Sequence, residues 1–157
     1  MNACSADVLS SQGAKLARNV PPTAQQGAID CNVDPYVPAG WQLDRHIKRS
    51  VLTLRSQWLY LADGQRAGHW IDGEALLEDT SNRPTLNAAV LDHLLTFPEL
   101  VPSEWVGRNV FFWGTVYRDS DHDLFVPYLH HDGGWAASYR WIGDLWTSQD
   151  PAALSPE

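Results

Sequence analysis

Three aromatic runs decide the fold of this chain. They read Val-Phe-Phe-Trp-Gly-Thr-Val-Tyr over 110–117, Leu-Phe-Val-Pro-Tyr-Leu over 124–129 and Trp-Ala-Ala-Ser-Tyr-Arg-Trp-Ile over 135–142. Polar breaks at 118–123 and 130–134 separate them. Aromatic and β-branched residues bounded by turn signals predict strands, and breaks this short join antiparallel neighbours. The region therefore reads as a three-strand meander. Gly114 inside the first strand predicts a bulge or the close approach of another group. Pro127 lacks an amide hydrogen, which predicts an edge, a bulge or a missing donor turned outward. In the third strand Trp135, Ala137, Tyr139 and Trp141 share one face, and Ala136, Ser138, Arg140 and Ile142 share the other.

Two helices are predicted upstream. Asp72 can N-cap a short one through Glu78, with Glu74 near the positive end of its dipole, and Ser81-Asn82-Arg83-Pro84 stops it. Thr85 is expected to cap the second, in which Leu86, Val90, Leu94 and Phe97 form an apolar stripe widened by Leu91 and Leu95. His93 sits at the rim of that stripe and reads as a packed or solvated residue. Trp105 is placed to plug the junction between helix and sheet. Earlier, Ser50 to Leu54 and Gln57 to Ala62 are strand-like, Asp63-Gly64 signals a turn, and Gly68 to Ile71 reads as a short return strand.

Residues 1–39 differ in kind. A short helix over Asp7 to Asn19 is weakened by Ser10, Ser11 and Gly13. Pro21, Pro22, Pro35 and Pro38 then favour an extended or irregular path. The stretch is expected to be a mobile tail, or one laid on the surface and anchored by Val33, Tyr36 and Val37. Residues 40–157 are expected to form a single α+β domain. Its sheet is mainly antiparallel and includes the C-terminal meander, with helices packed on one side.

At 157 residues with 44% apolar content, the chain can bury a core without covalent staples. Its net charge of −8 argues against a nucleic-acid partner. The one basic cluster, Arg45, His46, Lys48, Arg49 and Arg55, reads as a solvated strand and turn. Cys4 and Cys31 are not spaced for zinc. Neither a signal peptide nor a run long enough to span a membrane is visible, so a soluble, cytoplasmic protein with no membrane partner is expected.

Pro102, Trp105, Gly107, Phe111-Phe112, Gly114-Thr115, Arg118 and Asp121 form a recognisable series. It continues through Val126, Leu129, Gly134-Trp135, Tyr139, Trp141, Trp146 and Pro151-Ala152. This series resembles the C-terminal module of a group of uncharacterised bacterial proteins, over about the last 115 residues. Pro127, His130 and His131 depart from that group's pattern of Arg or Cys and further aromatics. The resemblance implies a shared fold and transfers no activity. A short protein of this kind also fits a mobile gene cassette.

No catalytic constellation is complete. Asp119, Asp121 and Asp123 alternate like the start of a calcium loop, but Leu124 stands where that loop needs Gly and His130 where it needs Glu. A polar hairpin turn accounts for them. His122 and His130 can approach each other across a hairpin, with a carboxylate completing a metal site, whereas adjacent His130 and His131 point to opposite faces. Ser138, His131 and Asp132 supply hydrolase residue types without the Gly-x-Ser-x-Gly elbow. Glu99 and Glu104 flank the Pro102 turn with nothing to bring them together.

The aromatic surplus is what remains. Eight Trp in one small domain exceed what a single core face needs. Trp113, Tyr117, Tyr128, Trp135, Tyr139 and Trp141 are therefore expected to form a ligand or partner surface. The leading reading is a non-catalytic interaction module with a protein partner or a second copy of itself, using no cofactor and no metal. The alternatives are a small-molecule-binding protein or enzyme with an aromatic pocket, with His131, Asp132 or Arg118 at its mouth, and a metal-dependent hydrolase built on the His/Asp cluster at 119–132.

Overall fold

A computed structural model describes residues 28–53 and 58–155. The helix expected over Asp7 to Asn19, Cys4, Pro21-Pro22 and Arg55 lie outside the described residues. The strands run in chain order as β1 (Ala28–Ile29), β2 (Gln42–His46), β3 (Leu52–Thr53), β4 (Trp58–Tyr60) and β5 (Ile71–Asp72). After the helices α1 (Gly73–Thr80) and α2 (Ala88–Thr96) come β6 (Val110–Phe111), β7 (Thr115–Arg118), β8 (Leu124–His131), β9 (Trp135–Trp141), β10 (Leu145–Trp146) and β11 (Ala152–Leu154). The class is α+β. The main sheet has seven strands in the order β2-β7-β8-β6-β11-β4, with β9 on the far edge of β8. All its pairings are antiparallel except that of β6 with β11.

The expected meander is its centre, and its first strand is broken. β6 and β7 both pair with β8, but the five residues from Phe112 to Val116 face only Val126 and Pro127. Gly114 lies in this bulge. A Cβ there would stand 2.8 Å from the Leu86 carbonyl oxygen, so the glycine admits the chain entering α2. Pro127 sits opposite the same break. Its carbonyl accepts from the Phe112 amide at 3.0 Å, so its missing N–H faces the interrupted ladder and costs the sheet no bond. The break also lets one line of chain serve two neighbours, because β2 pairs with β7 and β11 with β6. The sheet curls accordingly into half a barrel.

The first helix follows its sequence signals. The Asp72 carboxylate accepts from the Ala75 amide at 2.9 Å, and α1 ends at Thr80 before Pro84. The second begins later than expected. Thr85 is not its cap: Thr85 bridges to Leu154, while the Leu86 amide donates to Ala153 and its carbonyl accepts from Gly114. These tertiary bonds hold 85–87 extended, and Asn87 becomes the N-cap through its side-chain oxygen and the Ala89 amide. The Asn87 amide nitrogen donates to the carbonyls of Cys31 and Ile47, both at 2.9 Å. One fully buried side chain thus starts α2 and ties two loops to it.

Two cores result. α2 supplies Val90, Leu91 and Leu94 to the first, where they meet Trp105, Phe112, Leu129 and Ala137. Ile29 and Cys31 are sealed in the same core, and β1 pairs with β3. The packed body therefore takes in residues upstream of the expected boundary near Gly40. Ile29, Cys31 and Pro35 are buried there and Val37 is half-buried, while the Val33 and Tyr36 side chains are exposed and the Tyr36 backbone bonds to Asp92 and Tyr117. The second core gathers Leu76 of α1 with Phe111, Trp113, Val126, Ile142, Trp146 and Ala152. Beside it β5 and β10 form a separate two-stranded ribbon.

Candidate functional site

The six aromatics expected to share a contact surface are dispersed. Trp113 is sealed in the second core beside Trp146, with ring centroids 5.1 Å apart. Tyr117 is buried as well; its hydroxyl donates to the Tyr36 carbonyl at 2.8 Å, and burial pushes its pKa up. Tyr139 lies edge-on to Tyr117 and to Trp41. Trp135 packs against the first core, with His131 edge-on to its ring. Tyr128 stacks on Phe111 at 4.6 Å. Among the six only Trp141 is exposed. The aromatics are shared between two cores, one on each face of the sheet, and Trp113 and Tyr117 are taken up in packing.

Three large apolar side chains around the β5–β10 ribbon are exposed. Trp70 is 58% exposed, Leu145 52% and Trp141 47%. Leu145 pairs with Asp72 in the β5–β10 ribbon, and Trp70 immediately precedes the ribbon's first strand. Trp141 is one turn away: the Asp144 amide donates to its carbonyl at 3.1 Å, and its indole lies over Gly143. Clustered exposed apolar residues mark contact sites more than scattered singles do.

Beside this corner lies an open cleft of about 520 Å³, lined by Leu145, Asp144, Arg140, Asn109, Thr147 and Asp150 among others. Arg140 sits on the face of β9 opposite to Trp141. Its guanidinium stands 5.1 to 5.5 Å from the ring centres of Phe111, Trp146 and Tyr128. One of its nitrogens meets the Asp150 carboxylate at 3.0 Å. Asp150 also accepts from Asn109 at 3.0 Å and from the Thr147 amide at 2.9 Å. Both carboxylate oxygens are therefore occupied by the protein itself. The wall of the cleft is internally satisfied, which suits a structural clamp better than a reactive group.

The histidines do not converge. His122 lies in the turn before β8 and His130 near its far end, so about 25 Å of strand separates them and the hairpin approach does not occur. In that turn one Asp119 oxygen accepts the amides of Asp121 and Asp123, both at 2.9 Å, as expected of a polar hairpin. Among the described residues no three His, Cys, Asp or Glu side chains gather to hold a metal. A His–Ser pair does form, between His130 Nε2 and Ser138 Oγ at 3.1 Å. It involves His130 rather than His131, and it sits on a flat strand with no nucleophile elbow. The basic cluster is used structurally: Arg45 reaches the Trp113 carbonyl, His46 lies 2.8 Å from Thr115 Oγ, Lys48 pairs with Asp34 and Arg49 donates to the Thr85 carbonyl.

Among the described residues no helix is long and apolar enough to cross a membrane. Compared with known proteins, the chain matches no family model, no curated protein and no solved structure.

Proposed function

We propose that this chain is a small non-catalytic interaction module whose contact surface is the corner of Trp70, Trp141 and Leu145, with a protein partner or a second copy of the chain. The observation that carries this reading is that these three large apolar side chains stay about half exposed while Trp105, Trp113 and Trp146 are sealed. Tryptophan is enriched at binding hot spots, which supports a contact role for Trp70 and Trp141. The proposal sets the module in the cytoplasm, where the free, buried Cys31 thiol suits a reducing compartment. The saturated Asp150 favours contact over catalysis or small-molecule capture, since its oxygens are already bonded.

Sedimentation velocity over a concentration series tests the proposal. The wild type is expected to self-associate, and the double variant Trp70→Ala, Trp141→Ala is expected to do so more weakly. The double variant should melt close to wild type, because exposed substitutions usually change stability by only about 0.5 kcal/mol. A wild type that stays monomeric at every concentration removes a second copy as the partner, and a double variant that associates just as well overturns the assignment.

A further inference from the structure

Residues 32–38 form a strap between two fixed points. Upstream, Ile29 and Cys31 are buried, β1 pairs with β3, and the Cys31 carbonyl accepts from the Asn87 side chain and the Arg49 amide. Downstream, the Trp41 amide donates to the Pro38 carbonyl at 3.0 Å, and β2 pairs with β7 from Gln42 onward. Between these points the strap buries little. Pro35 is sealed and Val37 half-buried, while Asn32, Val33, Asp34 and Tyr36 are exposed. Polar contacts hold it. His46 Nε2 donates to the Val33 carbonyl at 2.9 Å, and the Tyr117 hydroxyl donates to the Tyr36 carbonyl at 2.8 Å. The Tyr36 amide donates to the Asp92 carboxylate of α2 at 3.0 Å. The Lys48–Asp34 pair is largely exposed and adds little. A segment held this way opens at lower free energy than the sheet beside it.

Asp92 is the weak clasp. Its carboxylate receives one hydrogen bond among the described residues, where a carboxylate can accept about four. The groups that face it are phenols: Tyr36 of the strap and Tyr117 of β7, with Tyr139 of β9 edge-on to Tyr117. His93, its neighbour on α2, lies against the Phe97 ring. His46 and the Lys48–Asp34 pair hold the earlier half of the strap, at Val33 and Asp34. A charge on Asp92 therefore has no cation facing it among the described residues, and the strap screens it from water. Burial pushes the carboxyl up to about 6.

We infer that residues 32–38 are a pH-released strap: ionisation of Asp92 loosens it from α2 while the sheet stays folded, and its release uncovers Tyr117. With the strap open, Asp92 is hydrated and titrates near the ordinary ~3.9. Between that value and about 6 the closed strap keeps a proton that the open one has lost. Closure is thus firmest on the acid side, weakens as pH rises from about 4 to 6 and is level above. Two powers of ten in proton affinity make that about a 100-fold loss. Tyr117 stays neutral throughout, because burial raises its pKa further above this range.

Hydrogen exchange at the Tyr36 amide of the full chain tests this. Corrected for the intrinsic rate, its protection should fall about 100-fold between pH 4 and pH 6 and then level off. It should stay below that of the β8–β9 ladder amides at every pH and be indifferent to low urea, because opening the strap exposes little surface. Asp92→Asn keeps an acceptor for the Tyr36 amide and should hold protection flat across the range. Tyr117→Phe removes the other clasp and should lower protection several-fold at every pH, with the fall intact. A wild-type profile without the fall, or an Asp92→Asn profile that keeps it, overturns the proposal. Tyr117→Phe without effect overturns it as well. Tyr36 protection equal to that of the ladder, with the same urea dependence, shows that only global unfolding frees the segment, and the strap is overturned.

Discussion

Arg140 and Asp150 face each other at 3.0 Å across the second face of the sheet, with the carboxylate almost wholly buried. Three rings press on the cation while Asn109 and Thr147 hold the anion. Removing one member of a buried pair strands the other and typically costs about 3–5 kcal/mol. Asp150→Ala should reach that range by urea denaturation, because it leaves a cation and the donors of Asn109 and Thr147 unpaired. Arg140→Met should cost less, since Asp150 keeps those donors and the methionine fills among the rings. The reverse order would show that the pair is not what clamps the 144–150 segment.

Asn87→Ala should lose about 2–4 kcal/mol, combining a lost cap with two buried carbonyls deprived of their donor. Asn87→Asp keeps the cap but turns a carboxylate toward the carbonyls of Cys31 and Ile47. Its deficit should shrink at acid pH, where protonation restores one donor. Equilibrium unfolding at pH 4 and pH 7 separates the two effects.

Gly114→Ala should cost about 1–3 kcal/mol, because the new methyl meets backbone at Leu86 and Asn87 that cannot yield without shifting α2. Gly134→Ala meets nothing within 4 Å and should be near neutral. Thermal melts of the two variants provide the comparison.

Asp92 makes stability depend on pH. Burial pushes its carboxyl up to about 6, against the partial relief of the Tyr36 amide it accepts at 3.0 Å. A free aspartate titrates near ~3.9. Between these values the folded chain holds a proton that the unfolded chain has lost, so this group's contribution to stability falls as pH rises from about 4 to 6 and is level above that. Asp92→Asn should remove this slope and stabilise the protein at neutral pH by roughly 1–3 kcal/mol. Urea titrations of both proteins across that range provide the check.

Much of the centre was legible. The meander, the Asp72 cap, the stop before Pro84 and the close approach at Gly114 all follow from local spacing and backbone limits. The start of α2 was not, because Leu86 has the periodicity of a helix yet is held extended by Ala153 and Gly114, far off in sequence. Nor was the second core, whose members come from residues 62, 76, 111, 146 and 152. Without it Trp113 reads as surplus. Alternation put Arg140 opposite the rings of its own strand, but nothing local says that Asp150 folds back to meet it. The exposure of Trp70 is not legible locally, because the adjoining ribbon pairs Ile71 with the distant Trp146.

β11 lies between β4 and β6 with all three of its residues buried. During synthesis, β4 and the broken central strand both leave the ribosome long before their common neighbour exists. The half-barrel thus remains unzipped along that seam until residues 152–154 arrive. A nascent chain halted short of them would present two bare strand borders to chaperones and proteases instead of a finished body.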